Sequence, residues 1–167
     1  MIQIDIIPNI GFKLNSLAFN WGESRQESRK KLKNQHKESD TLVEMAQFFD
    51  GDKSHDIHQK RDIFQNINNS KNYFFFGYNN QNELDEIEIH WGVQVETNHT
   101  KLEFKQNIDT IISQLKTKGF VPHKLEEGSF LIKELKISIA NSEHSGGEGN
   151  GLAYIYSSQN IDHLLVE

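Results

Sequence analysis

The chain has 167 residues, no cysteine, and 24 acidic against 18 basic side chains, which gives a formal net charge of −6. The length predicts a single domain, residues 1–167, and the lack of cysteine excludes disulfides, thiolate nucleophiles and cysteine-based metal centres. The negative charge argues against a protein that mainly coats nucleic acid, so nucleic acid is not an expected partner.

The N-terminal segment does not have the pattern of a secretion signal. Its apolar run over residues 2–7 is interrupted by Asp5 and has no cationic flank. No window of the sequence approaches the ~18 apolar residues that a membrane-spanning helix needs. We therefore expect a cytoplasmic protein without a membrane partner.

The first part of the chain predicts two strands and a capped helix. Isoleucines at alternate positions in residues 2–6 indicate a strand with one buried face. A second strand is expected within residues 12–19. Ser24 and Glu27 have the spacing of a capping box, which predicts a helix over residues 25–34.

The middle of the chain mixes short apolar segments with polar ones. Helical spacing of apolar side chains predicts a short helix over residues 41–49, and the polar segment 50–60 is expected to form a loop. Strands are predicted at residues 63–67 and 73–78. The asparagine-rich segment 79–82 predicts a turn, because asparagine tolerates positive φ.

The longest alternating pattern covers residues 86–96 and predicts one long strand. Its apolar members occupy every second position: Ile87, Ile89, Trp91, Val93 and Val95. This period of two predicts one buried face and one polar face. Gly92 lies within the pattern and predicts a bulge or kink there.

The strongest helical pattern covers residues 108–118. Four apolar residues recur at i, i+3, i+4 and i+7 and so form one buried stripe. Asn107 can cap the start of this helix, and Gly119 suits the left-handed position after its end. Two further strands are predicted at residues 130–139 and 152–156.

Together these elements predict an α+β fold, in which helices pack on one face of an antiparallel sheet. A Leu-x-Phe segment precedes each predicted helix, and strand-rich segments follow each one. This similarity suggests two helix-then-strands repeats, in residues 10–96 and 97–160.

The polar side of the long strand carries the candidate partner-binding residues. They are five acidic residues and one histidine: Glu83, Asp85, Glu86, Glu88, His90 and Glu96. A half-covered antiparallel sheet has polar residues on its outer face in any case, but an acidic face would also suit a basic protein partner. No nucleophile accompanies these residues, so we predict no catalytic residue, no metal and no cofactor.

Two enzymatic alternatives stay open. His90 with Glu86 or Glu88 could support acid–base chemistry in a small hydrolase. His55 and His58 could bind a metal ion if a third ligand came from elsewhere in the fold.

Two further alternatives involve no catalysis. The basic run over residues 25–37 could contact the phosphates of nucleic acid or phospholipid. Exposed helices are commonly rich in charge, however, so we expect this run to form a solvated helix face. The chain could also be an adaptor domain that has no activity of its own.

Segment 11–24 (GFKLNSLAFNWGES), with the capped helix after it, resembles the opening of small bacterial α+β domains of the β-lactamase-inhibitor-protein type. Residues 74–78 (FFFGY), the asparagine turn and residues 84–89 are similar to the central hairpin of those domains. Several immunity proteins of bacterial polymorphic and contact-dependent toxin systems share this size, acidity and lack of cysteine. The resemblance implies an immunity protein that binds and neutralises a cognate toxin domain, with a nuclease as the expected toxin. We expect a monomer or a weak dimer.

Overall fold

The computed structural model describes residues 1–165, and most of its regular structure is β. The strands are β1 (Ile2–Ile7), β2 (Gly11–Leu14), β3 (Leu17–Asn20), β4 (Lys37–Glu38), β5 (Thr41–Val43), β6 (Ile57–Gln65), β7 (Tyr73–Tyr78), β8 (Leu84–Trp91), β9 (Val93–Thr97), β10 (Thr100–Leu102), β11 (His123–Glu126), β12 (Ser129–Ile132), β13 (Ile137–Asn141) and β14 (Leu152–Ser158). The α-helices of the described residues are α1 (Arg25–Lys31) and α2 (Ile108–Thr117). Short 3₁₀ turns occur at Ala46–Phe48, Lys53–His55, Ile67–Asn69, Lys133–Leu135 and Asp162–Leu164.

The strands form two sheets. The small sheet has the order β10-β9-β1-β2-β3, and its β1–β9 pair is parallel while its other pairs are antiparallel. The large sheet has the order β11-β12-β13-β14-β8-β7-β6-β4, and β5 also pairs with β6. Every pair in the large sheet is antiparallel.

The predicted α+β fold, with helices packed on one face of a sheet in two repeats, is wrong. The fold is mostly β, with 45% of the residues in strands, and it has two sheets. The two helices are also not equivalent, because α1 buries the polar residues Arg25 and Ser28 whereas α2 buries four apolar residues. A helix without an apolar stripe cannot cover a sheet, so residues 10–96 and 97–160 are not two copies of one helix-then-strands unit.

One connected core joins the two sheets and α2. Phe12 and Phe19 of the small sheet contact Phe76 of the large sheet, with ring centroids 5.0 and 5.1 Å apart. The four apolar residues of α2 belong to the same cluster. The inner face of the large sheet is therefore closed by packing, and a functional site on this sheet has to use its outer face.

The long alternating segment 86–96 does form strands, but it changes sheet at Gly92. β8 lies between β14 and β7 in the large sheet, whereas β9 lies beside β1 in the small one. Gly92 has φ +76°, and a Cβ at this position would lie 1.9 Å from the carbonyl oxygen of Lys71, so the crossing requires glycine. Trp91, next to the crossing, is 40% exposed instead of buried.

The predicted helix at residues 41–49 is also wrong. Its first residues form β5 and pair with β6, and only residues 46–48 make a single 3₁₀ turn. Hydrogen bonds to a neighbouring strand thus override the helical spacing of the apolar residues.

By contrast, the helix predicted over residues 108–118 is confirmed as α2, with Asn107 accepting from the backbone N–H groups of residues 109 and 110. In residues 1–165, no helix combines the length and the apolar composition needed to cross a bilayer.

Candidate functional site

The outer face of the large sheet contains an open trough with a cavity volume of about 1170 Å³. Strands β6, β8, β12, β13 and β14 supply its floor, and β11, residues 144–145 and residues 163–165 supply its sides. The charged and aromatic residues that line it include Arg61, Glu86, Glu88, His90, Tyr154 and Tyr156. Three of the six residues predicted from the sequence therefore lie in one cavity.

Strand alternation explains why the Glu86, Glu88 and His90 side chains reach the trough. Ile87 and Ile89 are fully buried in the core, so the residues between and beside them face the other way. These polar side chains of β8 therefore lie on the face away from the core, although Glu88 is itself buried there.

The structure does not bring the other three predicted residues to this site. Glu96 lies in β9 of the small sheet, opposite Lys101. Glu83 belongs to the asparagine turn, where its Oε2 accepts a hydrogen bond from Asn79 at 2.9 Å. Asp85 is half-buried at the start of β8 and does not line the trough. The six residues therefore do not form the single acidic face that the alternating pattern predicts.

Glu86 is the most unusual group in the trough. Its Oε2 accepts a hydrogen bond from the Tyr156 hydroxyl at 2.8 Å. Burial raises the pKa of the Glu86 carboxyl, and the negative charge of Glu88 raises it further. The hydrogen bond from Tyr156 lowers this pKa, but only in part. No basic side chain within residues 1–165 comes within 4.0 Å of this carboxylate. The positive charge of Arg61, which pairs with Glu88, lowers the Glu86 pKa only in part. Glu86 is thus a desolvated carboxyl group without an ion-pair partner among the described residues.

Glu88 has the opposite character, because the chain itself supplies its counter-charge. Arg61 Nη2 donates to Glu88 Oε1 at 2.5 Å, and the Arg61 guanidinium lies over the Phe75 ring at 5.7 Å. His90 Nε2 is 3.6 Å from Glu88 Oε2 and is buried without a hydrogen-bond partner among the described residues. The Arg61–Glu88 pair therefore neutralises one of the two predicted glutamates that lie in the trough.

The segment after β14 closes one side of the trough. His163 Nδ1 lies 2.7 Å from the carbonyl oxygen of Asn160, which can only accept, so Nδ1 carries the proton. His163 Nε2 then faces the Tyr156 hydroxyl at 3.5 Å. Ile161 is fully buried and anchors this segment against Leu131. Sequence reasoning missed this contribution because the segment has no periodic pattern.

The two arginines of the basic run over residues 25–37 form ion pairs inside the protein, whereas Lys30, Lys33 and Lys37 are exposed. Arg25 Nη2 and Arg29 Nη2 each donate to Asp62 Oδ1 at 2.7 Å, and Arg25 also makes two hydrogen bonds with Asp40, at 2.7 and 2.9 Å. Burial alone would raise the pKa of Asp62, but the hydrogen bonds from both arginines outweigh it and hold that pKa below its ordinary value. The prediction of a solvated basic helix is therefore wrong for Arg25 and Arg29.

The predicted metal alternative at His55 and His58 has no support in the geometry. Within residues 1–165, no three side chains of the His, Cys, Asp or Glu type come together as a metal site. His55 instead stacks on the Phe49 ring, with centroids 4.0 Å apart.

No family model, curated protein or solved structure matches this chain. The resemblance to toxin immunity proteins therefore stays a prediction, and the function has to be argued from the trough.

Proposed function

We propose that this chain is a cytoplasmic immunity protein, which binds and neutralises a bacterial toxin domain of the nuclease class. In this proposal the trough receives a lysine or arginine side chain of the toxin next to Glu86. The observation that carries the proposal is the state of Glu86: a desolvated carboxyl group, with Tyr156 as hydrogen-bond donor and no cation of the described residues within 4.0 Å, in a cavity open to a partner.

Bringing a cation next to Glu86 would stabilise its ionised form. Burial disfavours the charged carboxylate, and a positive charge within hydrogen-bond distance reverses that preference. The neighbouring rings of Tyr154 and Tyr156 can add cation–π attraction. Because Glu88 is already paired with Arg61, Glu86 is the group on the trough floor that gains most from an incoming cation.

The overall charge supports the same kind of partner. A nuclease needs a basic surface to bind its polyanionic substrate. A chain with a net charge of −6 would associate with such a surface faster than a neutral one, particularly at low salt. A protein seated on that surface would exclude the nucleic acid, and no catalysis by the chain itself is needed.

The test is calorimetry with the protein encoded by the gene next to the one for this chain. We expect a complex with the wild type, and at least about 30-fold weaker binding for Glu86→Gln, because a buried charge pair is lost. Glu103→Gln is the matched control, since Glu103 is exposed and lies outside the trough. Equal affinities for both variants, or no complex with the wild type, would reject the proposal.

A second candidate function, a small hydrolase, is favoured by the same raised pKa of Glu86, because a carboxyl group that keeps its proton can act as a general acid. This candidate predicts turnover of chromogenic esters, phosphoesters or glycosides, and its loss in Glu86→Gln. Rates at the uncatalysed level for the wild type would reject it and leave the binding proposal intact.

A further inference from the structure

Half of the exposed large apolar side chains of the described residues are concentrated in one short segment. We define the arm as residues 41–58, which comprise β5, two 3₁₀ turns and the first residues of β6. Its exposed apolar residues have between 42 and 69% of their surface accessible: Leu42, Val43, Phe48, Phe49 and Ile57. An exposed cluster of this kind marks an interaction surface more often than isolated apolar residues do.

The arm is an ordered structure with hydrogen bonds of its own. Val43 is the direct cross-strand partner of Ile57, so their side chains lie on one face. The backbone N–H of Met45 donates to Asp56 Oδ1 at 2.8 Å, and the Asp52 side chain caps the second 3₁₀ turn. The backbone that carries the apolar side chains is therefore ordered, which lowers the entropy lost when a partner binds the arm.

The charges around this apolar surface are mostly negative. Four acidic residues and one lysine lie among the apolar ones: Glu44, Asp50, Asp52, Lys53 and Asp56. A second copy of the chain would place these like charges against one another, and an anionic lipid surface would repel them. An apolar cleft with a rim of lysine and arginine complements both features of the arm.

We propose that the arm is a second docking element, which inserts into an apolar, cationic-rimmed cleft of the toxin domain. This inference rests on the proposed function and names the surface that supplies most of the affinity. The position of the arm fits one partner that contacts both sites, because β6 continues from the arm into Gln59 and Arg61, which line the trough. The exposed rings of Phe48 and Phe49 would be the main anchors.

The first experiment compares two double variants in calorimetry with the same neighbour-encoded protein. Phe48→Ser with Phe49→Ser should weaken the complex at least about 100-fold, because two aromatic anchors are lost. Ile10→Ser with Val121→Ser is the matched control and should stay within about 3-fold, since both residues are as exposed, at 56%, but lie outside the arm. Urea unfolding of both variants checks that the fold is unchanged.

The outcomes separate the two proposals. A complex that is weakened by Glu86→Gln but unchanged by the Phe48 and Phe49 substitutions would contradict the proposal that the arm is a docking element. The same result would support the proposal that the toxin binds at the trough. If the wild type forms no complex, both proposals fail together. A single Phe48→Ser variant repeats the test without removing the contact between Phe49 and His55.

The remaining experiments test the rim and the other possible occupants. Glu44→Gln with Asp50→Asn should slow association several-fold at low salt, and an unchanged salt dependence would contradict a cationic rim. Sedimentation that shows a wild-type dimer, dispersed by the Phe48 and Phe49 substitutions, would overturn the proposal in favour of self-association. Co-sedimentation with phosphatidylcholine vesicles, lost in the same variant, would overturn it in favour of a membrane.

Discussion

The Glu86 side chain lies directly against the backbone of Gly77. These residues are cross-strand partners in β8 and β7, and a Cβ built on Gly77 would come within 2.4 Å of Glu86 Oε1. The missing side chain at position 77 therefore provides the space in which the carboxyl group lies. This relationship links a strand residue outside the trough to the group on which the proposed function depends.

Replacing Gly77 by alanine should destabilise the protein through Glu86. We expect Gly77→Ala to lower the free energy of unfolding by about 1–3 kcal/mol, because the new methyl group overlaps the Glu86 side chain. In a Glu86→Ala background the same change should cost almost nothing. Urea unfolding of the double-mutant cycle measures this coupling. An equal loss in both backgrounds would show that the clash is not with Glu86.

The pKa of Glu86 predicts a specific dependence of stability on pH. The folded protein binds this proton more tightly than the unfolded chain, in which the pKa has its ordinary value of 4.5. Linkage then requires the wild type to lose stability as the pH rises from about 4.5 through the raised pKa. Glu86→Gln removes this loss and should gain stability relative to the wild type over that window. A difference that stays constant with pH would contradict the desolvation of Glu86.

The Arg25–Asp62 contact predicts that Asp62→Asn strongly reduces the stability of the protein. Arg25 is 7% exposed at its side chain and Asp62 not at all. Asp62→Asn should therefore cost about 3–5 kcal/mol of unfolding free energy, because two arginines lose their buried counter-charge. Lys30→Ala on the same helix, whose ion pair with Glu27 is exposed, should change it by less than about 1 kcal/mol.

Acid should reduce the effect of Asp62→Asn. The lowered pKa values of Asp40 and Asp62 mean that their contribution to stability is present above their ordinary value of 3.8 and is lost as the pH falls through the lowered values. The gap between wild type and Asp62→Asn should narrow on acidification, measured by thermal unfolding at several pH values. A stability difference that widens on acidification would show that the ionised Asp40 and Asp62 do not stabilise the fold.

The crossing between sheets predicts a difference between two glycines with similar backbone angles. Gly22 has φ +84° and free space around its Cα. Gly22→Ala should therefore lower the free energy of unfolding only by the strain of an alanine in the left-handed conformation, about 1–2 kcal/mol. Gly92→Ala adds an overlap with the Lys71 backbone and should cost clearly more, up to loss of folding. Similar urea midpoints for the two variants would show that the crossing at Gly92 can relax.

Local patterns predicted much of the secondary structure and little of the architecture. Helix α2 was predictable because its apolar stripe, its cap and its terminal glycine all indicate the same boundaries. The strands on both sides of Gly92 were predictable too, because apolar residues alternate throughout the segment. This alternation does not show, however, whether the segment stays in one sheet or passes from one sheet into another. The change of sheet depends on the close approach of Lys71, which no local signal reveals.

The site shows the same limit. The alternating pattern predicted that Glu86 and Glu88 lie on the outer face of β8. The sequence could not show that Arg61 would neutralise Glu88 while Glu86 would have no ion-pair partner. Arg25 was assigned to a solvated helix because its partner Asp62 lies 37 residues away. The trough itself depends on residues 163–165, which carry no recognisable pattern.

The most direct test of the central claim is an NMR titration of the Glu86 side-chain carboxyl, assigned with the Glu86→Gln variant, in the free protein and in the complex. The proposal predicts a pKa above the ordinary value in the free protein and a fall below that value once a cation of the partner occupies the trough. The same raised pKa in both states, or an ordinary pKa in the free protein, would contradict it.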